Sequence, residues 1–129
     1  MSEIITNKLT GKTAAKTVTV TVGATVTQDL EKGLAKAFMN YDASSNTIED
    51  STNISTVRDN GTGDFDVVVT NNYSNSTPSI CLATGHQSFI GHTQKSETNS
   101  SETRIETDNN NGSARDRNQT IYVGHGGLA

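Results

Sequence analysis

Asp59–Asn71 reads DNGTGDFDVVVTN, a run of turn-forming residues that leads straight into three consecutive valines. Asn60-Gly61 and Gly63-Asp64 supply residues tolerant of positive φ, which a tight reversal between paired strands requires. The stretch therefore predicts two antiparallel neighbours joined at Asp59–Gly63, the second being a strand over Phe65–Thr70. A valine triplet without alternation predicts a strand covered on both faces, as in a sandwich core or an oligomer interface.

The same period of two recurs on either side. Upstream, KTVTVTVGATV (Lys16–Val26) sets Val18, Val20 and Val22 against Thr17, Thr19 and Thr21, the pattern of a strand with one buried face. Its polar face carries no charge, so it invites pairing with another chain. Thr27–Lys32 suits one helical turn ended by Gly33. AKAFMNY (Ala35–Tyr41) alternates Ala35, Ala37, Met39 and Tyr41 against Lys36, Phe38 and Asn40, and Asp42–Asn46 is a turn. Ile48–Val57 holds a weaker pattern. Downstream, Ser79–Gly85, Phe89–His92, Thr103–Thr107 and Gln119–His125 read as further short strands. Between them lie the polar segments Asn71–Pro78, Thr93–Ser101 and Asp108–Asn118. Short strands at this spacing define an all-β class, a single antiparallel β-sandwich or jelly-roll-like domain. Residues 1–32 read as an N-terminal arm with one strand, and residues 33–129 as the sandwich head.

Composition constrains what such a head does. The 129 residues suit one domain, yet hydrophobic side chains make up 31% and there is no Trp. Typical globular chains reach roughly 45–50% on a count that includes Gly, and the 11 glycines here do not close the gap. Abundant Val, Ile and Thr argue against disorder. The expectation is a fold that completes its core by assembling with copies of itself. A net charge of −4 lacks the basic stripe of a nucleic-acid binder. No run approaches the roughly 18 apolar residues of a membrane span, and MSEIITNKLTGK lacks the apolar centre of a signal peptide. Cys81, the single cysteine, reads as a small buried hydrophobe.

Few residue patterns point to chemistry. His86, His92 and His125 lack HxH or HExxH spacing and are candidates only for a metal held on a trimer axis. Asp64 with Asp66 and Glu102 with Glu106 each share a strand face, the raw material of an acid–base pair. Aromatic residues to line a sugar groove are scarce. No nucleophile elbow or phosphate-binding glycine pattern is present. The expectation is a non-enzymatic protein without cofactor.

Three segments carry a family resemblance: GLAKAF (Gly33–Phe38), DSTNIS (Asp50–Ser55) and DNGTGDF (Asp59–Phe65). In this order and context they resemble a module of tail-fibre-like virion proteins of bacteriophages, particularly marine ones. The start MSEIITNKLTGK is similar to the N-terminus of such proteins. Pro78–Ala83 and Ile121–Val123 fit the module's later strands loosely. Phe38 stands where the module more usually has Trp, and the ending YVGHGGLA lacks the usual Phe-Gly element. The resemblance implies a virion structural protein, made in the host cytoplasm and assembled as a homotrimer, with no catalytic residues. Its partners would be itself, other virion proteins through the N-terminal arm, and a host-surface glycan, with no nucleic acid and no membrane insertion. Two roles stay open, a tail fibre or tail-tip adhesin and a capsid decoration protein. For adhesion the candidate contacts are the polar loops, with Tyr73, Arg115 and Arg117 as anchors.

Overall fold

The computed structural model describes residues 19–22, 26–29, 33–85, 89–93 and 98–129. Contacts divide the chain into Met1–Leu34 and Ala35–Ala129. In the first unit β1 (Thr19–Val22) and β2 (Val26–Asp29) pair antiparallel, with Val22 opposite Val26. Of the KTVTVTVGATV segment, which reads as one strand, Thr19–Val22 form β1 and Val26 opens β2, while its other residues lie outside the described ones. Thr27–Asp29, expected in a helical turn, belong to β2. Gln28 and Asp29 suit a helix start, but a single turn has no cooperativity to resist pairing.

The second unit is an antiparallel sandwich. Its strands are β3 (Ala35–Asp42), β4 (Thr47–Thr52), β5 (Ile54–Gly61), β6 (Asp64–Val69), β7 (Ser79–Thr84), β8 (Phe89–Thr93), β9 (Glu102–Asn109) and β10 (Thr120–His125). One sheet runs β4-β3-β10-β7 and the other β5-β6-β9-β8. β10 lies between β3 and β7, which settles the pairing of the last strand.

Alternation decides which side chains meet inside. β3 buries Ala37, Met39 and Tyr41; β6 buries Phe65, Val67 and Val69; β9 gives Ile105 and β10 gives Tyr122. The Tyr41 and Phe65 rings join the sheets, centroids 4.9 Å apart and tilted 54°. Thr103, Thr107 and Thr120 share the interior. Threonine keeps β-propensity while replacing a methyl by a hydroxyl. The sandwich therefore encloses a core although the chain is poor in apolar residues.

Each buried hydroxyl needs a partner. Thr107 donates to Arg115 O at 2.6 Å, and Thr103 Oγ1 lies 3.5 Å from the Tyr122 hydroxyl. Thr120 Oγ1 is buried with no hydrogen-bond partner among the described residues. Thr120→Val keeps the side-chain shape and removes that unmet group, so stability should rise by about 1 kcal/mol. Urea denaturation of the two proteins, with m unchanged, measures it.

Three strand readings are corrected. The Val67–Val69 run is covered on one face: Val67 and Val69 are buried, whereas Val68 is only half-buried beside Asp64 and Asp66 on the outer side. Ile48–Val57 is not one weak strand but two edge strands in different sheets. Asn53, at φ 58, makes the corner between β4 and β5. Its amide holds the bend, donating to Lys36 O at 3.0 Å and Asn71 O at 3.1 Å and accepting from Asn71 N at 2.7 Å. Cys81, expected inside, is exposed. On β7 the inward positions are Ile80 and Leu82, which pack against the core, so Cys81 points out.

Candidate functional site

Asp59–Phe65 folds as its composition dictates. Gly61 takes φ 130 and Gly63 φ 69, and Asp59 Oδ1 accepts Gly61 N at 2.9 Å. β5 and β6 then run antiparallel as expected. This turn, the Ala43–Asn46 turn and the 110–119 connection are tied together at one end of the sandwich. Gly63 N donates to Asp116 Oδ1 at 2.7 Å. Gly63 O accepts from Thr107 N and Arg117 O from Ala43 N, both at 2.7 Å. Asn109 Oδ1 accepts the N–H groups of Asn111 and Ser113, curling the connection back on itself. Residues 110–116 are exposed as predicted, but they form an anchored loop with its backbone fixed.

Three carboxylates gather around Tyr41 at that end of the sandwich. Burial, then the charges of Asp59, Asp116 and Asp42, push the Tyr41 phenol above its usual range. Its hydroxyl donates to Asn46 Oδ1 at 2.8 Å. Asp42 is held below the usual carboxylate range, chiefly by the Ser44 hydroxyl. Of the loop anchors expected from sequence, Arg115 is exposed and Arg117 half-buried. Both also use backbone groups to staple the loop.

Tyr73 is not a surface contact. It is 2% exposed, and its hydroxyl lies 3.1 Å from that of Tyr122. Burial, then the Tyr122 contact, raises its phenol far above the ordinary value. The surrounding NNYSNS reads as exposed loop. Tyr73 N donates to Ser100 O and Ser74 N to Gly127 O, which folds the segment over the sandwich with the ring inward.

The paired carboxylates lie on the outer face of β5-β6-β9, where arginines engage Asp64, Asp66 and Glu102. Arg58, Asp66 and Arg104 stand abreast, and Asp64 opposes Glu106. Arg104 grips Asp64 through two bonds, Nε to Oδ1 at 2.9 Å and Nη2 to Oδ2 at 2.5 Å. Arg58 pairs with Glu102 and lies 3.6 Å from Asp66. The Arg104 hydrogen bonds hold Asp64 below the usual carboxylate range. A carboxyl held this way stays ionised at neutral pH and is no proton donor. The arrangement joins three strands by cross-strand ion pairs.

The Asp64–Arg104 pair makes stability depend on pH. Because Asp64 is more acidic folded than at its ordinary 3.8, its contribution is full above that value and fades as pH falls below it. Asp64→Asn should cost about 1 kcal/mol at pH 7. The difference from the parent should close in denaturation curves recorded from pH 5 down to pH 2.

His125 is half-buried at the end of β10, opposite Ser79 and Ala35. His92 is in β8, its backbone opposite Glu106, and His86 lies outside the described residues. Among the described residues no three His, Cys, Asp or Glu side chains form a group able to hold a metal ion. None of their helices is long and apolar enough to cross a membrane.

Fold and surface define a class, an antiparallel β-sandwich with a charged outer face and stapled polar loops. No family model, curated protein or solved structure matches the chain.

Proposed function

We propose that the chain is a virion structural protein of a bacteriophage, a tail fibre or tail-tip protein that docks through its N-terminal segment and presents the sandwich outward as a homotrimer. The observation that carries this reading is where the resembling segments fall. GLAKAF leads into β3, DSTNIS spans the Asn53 corner and DNGTGDF makes the β5–β6 turn. Each governs the path of the backbone, as suits a module retained for its architecture. The uncharged Val/Thr pattern of Thr17–Val26 and the exposed polar loop at 110–116 support it further.

Adhesion to a host glycan would work through repetition. Several identical weak sites on one trimer give avidity without any single strong site. Arg115 in the stapled loop is the contact to bet on. Binding of particles to a host-surface glycan panel should fall when residues 110–116 are exchanged for a glycine–serine linker, and unaltered binding would clear the loop. Capsid decoration is the second reading, since the role needs only a docking segment and a compact head. Electron microscopy of labelled particles separates them: hundreds of copies over the shell mean decoration, a few dozen or fewer at the tail mean a fibre. A particle lacking the protein altogether would overturn both.

A further inference from the structure

Edge strands expose unpaired backbone groups, and native sheets block them with charges and bulges. β4 carries Glu49 and Asp50, and its pairing with β3 shifts register at Asn40/Tyr41. β5 carries Arg58 and Asp59 and shifts register twice against β6. Two edge strands have neither device, β7 (SICLAT) and β8 (FIGHT), which keeps an unbroken register against β9. β7 contains no charged residue and keeps an unbroken register against β10 from Ser79 to Thr84.

The phase of its hydrogen bonds follows from its junction. Gly85 N donates to Gln119 O at 3.0 Å, continuing the β7–β10 register. Ser79, Cys81 and Ala83, two residues apart from Gly85 in turn, therefore direct their backbone groups at β10. Ile80 and Leu82 direct theirs away from β10, toward the rim of the sheet.

We propose that β7 is where a second copy of this chain joins, the two β7 strands pairing antiparallel about a two-fold axis so that each sheet continues into the other. The strand itself selects this occupant. Being neutral, it meets its copy without like-charge repulsion, which opposite residues on paired strands would otherwise suffer. Directly opposed residues must share a face. Pairing centred on Cys81 satisfies that throughout: Ile80 faces Leu82 of the partner subunit inside, and Ser79 faces the partner's Ala83 outside. It also joins the rim-directed N–H and C=O groups of Ile80 and Leu82 to each other. The outer row Phe38–Val123–Cys81 then runs into the same row of the copy as one apolar stripe.

The contact is small. Centred pairing engages the five residues from Ser79 to Ala83, which at about 3.3 Å each make a contact about 17 Å long, covering on the order of 300 Å² per copy. A standard interface covers about 800 Å² per partner. The pairing is therefore weak and follows concentration. It stands apart from the virion reading, because a trimeric head offers three such edges and a solitary chain offers one.

Cys81 reports on the geometry. Centred pairing sets the two Cys81 Cα atoms about 4.5 Å apart, within disulfide range. Diamide accepts the two electrons and two protons released as the thiols join, becoming the hydrazine. The full chain is treated with diamide at about 500 µM and compared with the double variant Cys81→Ser/Ala83→Cys, whose cysteine is equally exposed but off the axis. The parent should give linked dimer at least tenfold faster. Cys81→Lys, at an exposed site that leaves the fold intact by circular dichroism, should weaken self-association at least tenfold in sedimentation equilibrium. Equal linking rates, a mass independent of concentration up to about 1 mM, or undiminished association of Cys81→Lys would each overturn the proposal.

Discussion

Gly63→Ala should lose about 3 kcal/mol or more of folding stability and lower the melting temperature by roughly 10 °C or more. Two causes add. Gly63 has φ 69, a left-handed conformation that costs an L-residue about 1–2 kcal/mol. A Cβ there would also sit 2.5 Å from Thr107 O and 2.6 Å from Arg115 N. Both obstacles are backbone. They bond to each other at 2.9 Å, so relief means prying the 110–119 connection off β9. Gly112→Ala isolates the first cause, since Gly112 has φ 72 with nothing within 4 Å of the added carbon. Its loss should stay near 1 kcal/mol. Equilibrium denaturation of both variants decides the matter. If Gly63→Ala is no worse than Gly112→Ala, the stapled loop is not the rigid body described above.

Gly63 also shows how far sequence reaches. The need for positive φ in DNGTGD is local, and so is the alternation of Ala35–Tyr41, which placed Ala37, Met39 and Tyr41 inside. Such periods reveal a strand and its two faces. They do not tell which sheet receives it or what lies beyond. Asn53 is one polar residue in a polar run, and only its bonds to Lys36 and Asn71 make it a corner. Val68 and Cys81 have apolar neighbours that pointed inward, yet their parity puts both outside. Tyr73 erred the other way, since a ring in NNYSNS reads as exposed until distant backbone folds it in. For the surface, sequence named Arg115 and Arg117 as loop anchors. It gave no sign that backbone groups of the same residues staple the loop, because their partners Thr107 and Ala43 are far along the chain. Asp64, Asp66, Glu102 and Glu106 were legible as shared faces, but the arginines that engage Asp64, Asp66 and Glu102 come from register.

Gly124→Ala should be comparably damaging for a different reason, and a second substitution should partly cure it. Gly124 sits in β10 without positive φ, so alanine fits its backbone. A Cβ there would overlap the Tyr73 hydroxyl, with Tyr73 Cζ at 2.9 Å and the Tyr122 hydroxyl oxygen at 3.0 Å. An exposed tyrosine would swing aside. Tyr73 is buried and bonded to Tyr122, which is itself fully enclosed, so neither ring has room to yield. Overpacking costs about 1–3 kcal/mol, and breaking the hydroxyl pair adds about 1 kcal/mol. The expected loss is about 3 kcal/mol. Tyr73→Phe removes the atom in the way and alone costs about 1 kcal/mol, the net worth of one hydrogen bond. Cζ stays close, so relief in the double variant is incomplete. The double variant should nevertheless be more stable than the two separate losses summed, by about 1 kcal/mol or more. That sign is diagnostic, because residues in contact couple whereas distant ones add. Strict additivity across the four proteins would mean that Tyr73 does not cover Gly124, and would return it to the surface where its polar neighbours suggested it belongs.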